Sequence, residues 1–227
     1  LRMNSAEELQ LARNALSVKI QAATVLNSLS AHYGVKEIHG VAGYSLGGRI
    51  ALAMKRLCDV PPRDVDIPIL LRKSAKIILL SAFPGHFSPE DDGNGEESAL
   101  RTMADEVLAA QIRSTCDKTT LSPSAFMDSL IQWDPVLSKW YSASIWGTLK
   151  HHRSYQEMII RRSKTLSTRG RDLAALLEEC TPSNGEQQYW RGCSADNTLF
   201  IAGSYDAKYS QIGNTWNKKQ GIDCQTI

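Results

Sequence analysis

The chain has 227 residues, of which 42% are hydrophobic and 22% are charged, a composition typical of one globular domain with a substantial core. The net charge is +2 and basic residues are interspersed with acidic ones, so the charge pattern does not indicate a nucleic-acid-binding protein. No apolar stretch reaches the roughly 18 residues that a membrane-spanning helix needs, so no membrane partner is expected. The five cysteines are widely spaced and form no CxxC pair, which favours free thiols and no metal site.

The predicted elements alternate between helix and strand along most of the chain. Apolar residues at helical spacing predict a helix over residues 1–33, and KEIHGVAG is typical of a short strand. A second helix (LGGRIALAMKRLC), a Pro-rich connection over 59–74 and a buried strand (AKIILLSAF) come next. A helical region then extends to about residue 180 with a break near Pro135, and NTLFIAG forms the last predicted strand. This order predicts an α/β fold, in which a parallel sheet is flanked by helices and carries an all-helical insertion.

The segment GVAGYSLGGRIALAM, residues 40–54, places Ser45 between glycines at the junction of a strand and a helix. This is the strand–turn–helix context of a nucleophile elbow, in which a sharp turn exposes the serine hydroxyl. Gly43 and Gly47 would remove side chains where strand and helix approach closely. The N–H of Leu46 would be one oxyanion donor, helped by the helix dipole. The alternative is that Ser45 only caps the helix.

Asp206 follows the last predicted strand, at the end of the strand where α/β folds place functional residues. In the chain order of α/β-hydrolases the acid follows the serine, so Asp206 is the candidate acid of a catalytic triad. The alternative is that Asp206 caps the next helix. No histidine follows Asp206, and each histidine is interpreted as structural or solvent-exposed rather than as the base: His32, His39, His86, His151 and His152.

Several segments resemble, in family order, the MenH branch of the α/β-hydrolases, the 2-succinyl-6-hydroxy-2,4-cyclohexadiene-1-carboxylate synthases. They are GYSLGGRIALAM, SAFPGH, LRTMADEVLA, WYSASIW, RRSKTLSTRGRDLAALLEECT and GSYDAKYSQIG, and they cover about residues 37–213. The resemblance implies a partial α/β-hydrolase fold with a helical cap. It also implies a lyase that eliminates pyruvate from a cyclohexene carboxylate intermediate without a cofactor, with Ser45 acting as a base through its histidine.

The same resemblance implies which residues bind the substrate: Tyr44, Arg101, Trp140 and Arg162. Arg161 is the alternative to Arg162, because the sequence does not settle which of the two points inward. Bidentate arginines suit planar carboxylates, so a small-molecule carboxylate is the expected substrate.

The connection 59–73 and the acidic loop 88–97 are longer than in the compact bacterial pattern. They resemble the carboxyl-terminal module of plant multifunctional enzymes of phylloquinone biosynthesis. This similarity implies a plastid location and, as possible partners, the other modules of a larger chain.

The family pattern predicts one incomplete domain, with the core and elbow in 1–100, the helical cap in 101–182 and the acid-bearing strand in 183–227. The family's His-Gly oxyanion loop and distal histidine are not found. The tail NTWNKKQGIDCQTI is not expected to form the family's final helix and strand. We therefore expect little or no activity from this chain alone, because losing a triad member costs about 10³- to 10⁶-fold in rate. A serine esterase or thioesterase and a non-catalytic truncated isoform are the alternatives.

Overall fold

The computed structural model describes residues 17–61, 69–82, 95–119, 126–142, 146–180 and 194–227. The chain forms two compact units, Leu1–Gly95 with Pro182–Ile227 and Glu96–Thr181, called here the sheet unit and the helical unit. Within the described ranges, no helix is both long and apolar enough to cross a membrane.

The described elements follow one another as helix–strand repeats that are interrupted by a helical segment. Four strands form one parallel sheet with the spatial order β1–β2–β3–β4. The predicted fold class, an α/β fold with a parallel sheet flanked by helices, is confirmed. In chain order the elements are α1 (Val18–Tyr33), β1 (Glu37–Tyr44), α2 (Leu46–Asp59), β2 (Leu70–Leu80), α3 (Gly95–Thr119), α4 (Phe126–Trp140), a 3-10 turn (Leu149–His151), α5 (Tyr155–Glu179), β3 (Thr198–Ala202), α6 (Ala207–Gln220) and β4 (Asp223–Thr226).

One face of the sheet packs against α2 and α6 and forms the core of the sheet unit. Leu79 of β2 lies opposite Phe200 of β3 on this face, and both side chains are fully buried. The ring of Trp216 in α6 meets Phe200 edge-on, with 5.8 Å between the ring centroids. Gly213 lets α6 approach the sheet, because a Cβ there would lie 2.2 Å from the Sγ atom of Cys224. This packing fixes the carboxyl ends of the strands relative to one another.

The helix predicted over 1–33 is described only in its second half, as α1, because residues 1–16 lie outside the described part. Its buried side chains are those of Val18, Ala22 and Leu26, which are spaced four residues apart along one face. Ile20, another apolar residue of α1, is 41% exposed.

Strand β2 begins at Leu70, so the prediction that residues up to 74 form a connection is wrong for Leu70–Ser74. Arg72 holds this segment against β1, because its Nη2 atom donates a hydrogen bond of 2.8 Å to Oε2 of Glu37. The same hydrogen bonding lowers the pKa of Glu37. The pairing of the two strands shifts register between Ile38 and Gly40, where β2 carries extra residues.

Pro135 lies inside α4, so the predicted helix break at this residue is wrong. A proline in a helix interior costs about 3 kcal/mol, because it removes a hydrogen bond and crowds the preceding turn. Trp133 and Leu137 flank the proline and are buried in the core of the helical unit. Burying one such side chain stabilises by about 1.5–3 kcal/mol, so the two together are enough to offset the cost. The helix ends at Trp140 instead.

The tail also differs from its prediction, since α6 and β4 are a helix and a strand. Asn217 helps to end α6, where its Nδ2 atom donates to the carbonyl of Ile222 at 2.8 Å. Gly221 follows with a positive φ of 67°, which is the usual way for a helix to end before a sharp turn. Strand β4 then adds in parallel to β3.

The helical unit has a core of its own between α4 and α5, to which α3 contributes. Trp133 and Ile159 are nearly inaccessible to solvent within it. Helix α5 departs from helical geometry at Arg169, whose φ is −132°. The next residue is Gly170, where an added Cβ would lie 2.6 Å from the Sγ atom of Cys116 in α3.

Candidate active site

Ser45 occupies the single residue at which β1 turns into α2. Its backbone has φ 50° and ψ −116°, a sparsely populated conformation that a non-glycine residue adopts at a cost of about 1–3 kcal/mol. Its N–H donates to the carbonyl of Leu80 at 3.0 Å, and its own carbonyl accepts the N–H of Gly48 at 3.1 Å. The turn is therefore held from both sides, and the serine itself is exposed.

Two glycines make this turn possible, and one of them is not the glycine that the sequence indicated. A Cβ at Gly43 would lie 2.3 Å from the carbonyl oxygen of Gly47, so a side chain cannot be accommodated there without a shift. A Cβ at Gly47 would meet no atom within 4 Å, so the expectation that Gly47 itself is needed for close approach is wrong. The second close approach is at Gly48, where a Cβ would lie 2.3 Å from Cβ of Ala82. Gly47 contributes its backbone instead.

The Ser45 side chain does not cap α2, although Ser45 stands at the N-cap position. No described residue forms a hydrogen bond with its hydroxyl. The N–H of Leu46 also has no acceptor among the described residues, as is usual for the first N–H of a helix. A ligand at this point would therefore meet one free hydroxyl and one free backbone donor.

Asp206 lies beyond the carboxyl end of β3 and begins α6. Its Oδ1 atom accepts the N–H of Tyr209 at 3.1 Å, so Asp206 does cap this helix. The residue is half-buried, and no described residue donates to its Oδ2 atom. Because β2 separates β1 from β3, Ser45 and Asp206 follow strands about 10 Å apart at the same edge of the sheet.

No described histidine of the sheet unit can reach Ser45. His39 lies in β1 six residues earlier, which is about 20 Å along an extended strand, and its Nε2 atom is 3.6 Å from Glu37. His32 lies in the last turn of α1, before β1 begins. His151 and His152 are exposed residues of the helical unit, and His86 lies outside the described residues.

The predicted substrate-binding residues divide between the two units. Tyr44 ends β1 beside Ser45 and is 65% exposed. Arg101 and Trp140 belong to the helical unit. Arg101 lies on α3, but its side chain is outside the described part. Trp140 ends α4, and its ring centroid is 5.8 Å from that of Trp146.

The two arginines between which the sequence left a choice have different surroundings. Arg161 lies 3.7 Å from Glu157, one helical turn away. Arg162 is exposed and forms no ion pair with a described residue. Burial raises the pKa of the Tyr141 phenol, whereas the nearby charge of Arg162 lowers it. Arg162 is therefore a cation close to Tyr141 that has no described acid to neutralise it.

The sequence analysis did not single out Ser81, which follows β2 at the same sheet edge. Its φ is 42°, and its N–H donates to the carbonyl of Ile201 at 2.9 Å. The available signal was its place directly after a buried strand, where α/β folds carry functional residues.

The chain's thiols and acids form no metal centre within the described ranges, where no group of three or more possible ligands occurs. The described cysteines are free thiols: Cys58, Cys116, Cys180 and Cys224.

Solved structures similar to this chain are distant in sequence. A protein from Desulfitobacterium hafniense that is named as an α/β-hydrolase family protein is 11% identical, with 93% of this chain and 67% of that chain covered and a TM-score of 0.44. The epoxide hydrolase CorEH, solved without ligand, is 13% identical, with 94% and 66% covered and a TM-score of 0.46. No family model matches the chain, and no curated protein does. The chain spans about two thirds of the length of both solved proteins.

Proposed function

We propose that this chain is part of a serine-dependent enzyme of the α/β-hydrolase superfamily. The observation that carries the proposal is Ser45, whose exposed hydroxyl stands at a strained strand-to-helix turn without a described hydrogen-bond partner. Strained backbone is concentrated at functional sites, where the surrounding structure maintains it. The N–H of Leu46 would stabilise negative charge on the ligand, and Asp206 would orient the general base.

We propose further that the reaction is the pyruvate elimination of the MenH-type lyases. The sequence resemblance supports this choice over ester hydrolysis, with the module of the plant multifunctional protein PHYLLO as the most similar pattern. Arg162 supports it too, because a cation without an acidic partner suits a substrate with several carboxylates. Tyr44, Arg101 and Trp140 would complete the binding residues. A plastid location and association with other modules belong to the same proposal.

In this reaction the Ser45 oxygen acts as a base rather than as a nucleophile. It passes its own proton to a general base and takes a proton from the substrate ring. The electron pair of that C–H bond forms a ring double bond, while the C–O bond to the enolpyruvyl group breaks. The released enolate takes up a proton and becomes pyruvate, so no cofactor or oxidant is required.

The general base is not identified, because no described histidine of the sheet unit lies near Ser45. Added imidazole can act as a diffusible general base at a site that lacks one. We therefore expect the chain to release pyruvate slowly by itself and faster when imidazole is present.

The test uses the full chain and a succinyl-hydroxycyclohexene carboxylate that carries the enolpyruvyl ether. Pyruvate release is followed with lactate dehydrogenase at increasing imidazole concentration. Ser45→Ala should abolish the imidazole-dependent rate and Arg162→Ala should lower it at least about 10-fold, the loss of one charged hydrogen bond. Ser74→Ala, an exposed serine of β2, is the control and should react as the unaltered chain.

Two other outcomes would contradict the lyase. Hydrolysis of p-nitrophenyl esters, with a phosphonate adduct on Ser45 and no pyruvate, would show an esterase or thioesterase. A folded chain that is inactive in both assays and takes up no phosphonate would favour the non-catalytic isoform.

A further inference from the structure

Ser81 shares an unusual backbone conformation with Ser45. Among the described residues, these two serines are the non-glycine residues with a positive φ, at 50° for Ser45 and 42° for Ser81. One follows β1 and the other follows β2, and these strands are neighbours in the sheet. Both outliers therefore lie side by side at one sheet edge.

The hydrogen bonds at the strand ends place Ser81 between the two residues of the proposed triad. The N–H of Ser45 donates to the carbonyl of Leu80, directly before Ser81. The N–H of Ser81 donates in turn to Ile201 of β3, the strand that leads to Asp206. Neighbouring strands are about 4.8 Å apart, so a ligand in contact with Ser45 lies within reach of a side chain at Ser81.

Within the described ranges, nothing pairs with the side chain of Ser81 or explains why this position is not a glycine. A glycine would adopt a positive φ without strain. The Ser81 residue is half-buried, and no described residue forms a hydrogen bond with its hydroxyl. A half-buried hydroxyl that none of the described residues engages can pair with a bound ligand.

We propose that Ser81 is a second ligand-binding hydroxyl of this site, which donates a hydrogen bond to an oxygen of the molecule bound at Ser45. The inference rests on the proposed function of Ser45. The ligand class is one with a carboxylate, carbonyl or phosphonyl oxygen next to the group that contacts Ser45.

The test compares Ser81→Ala with Ser81→Gly, because both remove the hydroxyl but only glycine relieves the backbone. The probe is a fluorophosphonate, used with imidazole as added base, and mass spectrometry follows its adduct on Ser45. Both variants should weaken the inhibition constant KI about 5- to 10-fold, the effect of one hydrogen bond, with little change in the limiting rate of labelling. Thermal unfolding should separate the two, with Ser81→Gly more stable than Ser81→Ala. Ser74→Ala serves as the control.

Three other outcomes would each contradict one step of this inference. If KI were unchanged in both variants and Ser45 were labelled normally, the proposed role of Ser81 would be refuted, whereas the proposed function of Ser45 would stand. An effect that follows stability, present in one variant and absent from the other, would show a purely structural role. Absence of labelling even in the unaltered chain would refute the proposed function of Ser45 and, with it, this inference.

Discussion

Ser45 keeps its strained conformation because hydrogen bonds and close backbone contacts fix the turn between β1 and α2. Its N–H and carbonyl are both engaged, with Leu80 on one side and Gly48 on the other. The backbone at Gly43 passes so close to Gly47 that the two segments meet without intervening side chains. The position of the Ser45 hydroxyl is thus set by backbone contacts rather than by its own side-chain bonds.

Substitution at Gly43 should therefore disturb the turn far more than substitution at Gly47. Gly43→Ala places a Cβ 2.3 Å from a backbone oxygen, which cannot move without displacing the helix start. We expect a loss of about 1–3 kcal/mol in the free energy of unfolding, measured by urea denaturation. Gly47→Ala is the matched control, because nothing lies within 4 Å of its Cβ, and it should be neutral or slightly stabilising. Equal losses in both variants would contradict this account of the turn.

The pair Tyr141 and Arg162 gives a second residue-level prediction. Burial raises the pKa of Tyr141 and the positive charge of Arg162 opposes that rise. Arg162→Ala should therefore raise the pKa of Tyr141 further, which ultraviolet titration of the phenolate can follow. Arg161→Ala is the control, because Arg161 lies beside Glu157, and it should leave the titration unchanged. If Arg161→Ala shifted the pKa of Tyr141 more than Arg162→Ala did, Arg161 rather than Arg162 would be the cation near the phenol.

Local patterns predicted the position of Ser45 and Asp206 because both stand where a strand gives way to a helix. The roles of Gly48 and Ser81 were not predictable in that way. Gly48 is required by Ala82, which is distant in sequence, and the importance of Ser81 depends on the register of three strands. Such contacts are set by tertiary packing, which a local pattern does not encode.

At the scale of the elements, the kink in α5 marks the place where two helices come unusually close. Gly170 follows the distorted Arg169 and faces Cys116 of α3. A glycine in a helix interior is normally unfavourable by about 0.5–1 kcal/mol relative to alanine. Here the close approach of Cys116 explains its presence.

Gly170→Ala should destabilise the helical unit, although alanine favours helices in general. The new methyl group would lie 2.6 Å from the Sγ atom of Cys116, and overpacking of this kind costs about 1–3 kcal/mol. Cys116→Ala removes the sulfur, so the double variant should recover a large part of the loss. Thermal unfolding of all four proteins measures this coupling. If the loss in the double variant equals the sum of the two single losses, the contact with Cys116 is not the cause of the destabilisation by Gly170→Ala.

Where an element was predicted wrongly from the sequence, contacts with residues distant in the chain determine the observed structure. Pro135 is a local signal for a break, but the buried Trp133 and Leu137 on either side keep the helix continuous. The segment before AKIILLSAF contains charges typical of a loop, yet Arg72 pairs with Glu37 across the sheet edge. In each case a tertiary contact outweighed a local preference.

At the scale of the whole molecule, the described residues form a hydrophobic core within the sheet unit and another within the helical unit. Phe200 and Trp216 belong to the core of the sheet unit, whereas Ile159 and Trp133 belong to that of the helical unit. A unit that has its own core can unfold locally while the other unit stays folded.

Matched core truncations in the two units should therefore have separable effects. Ile159→Ala removes a side chain that is 2% exposed and should cost about 2–5 kcal/mol, through the cavity that it leaves. Amide hydrogen exchange should then speed up in α4 and α5 and stay unchanged in β2 and β3. Phe200→Ala is the reciprocal variant, and it should accelerate exchange in β2, β3 and α6 while the helical unit keeps its protection. If either truncation accelerated exchange throughout the chain, the two units would unfold as one, and the stability of the site around Ser45 would depend on both cores.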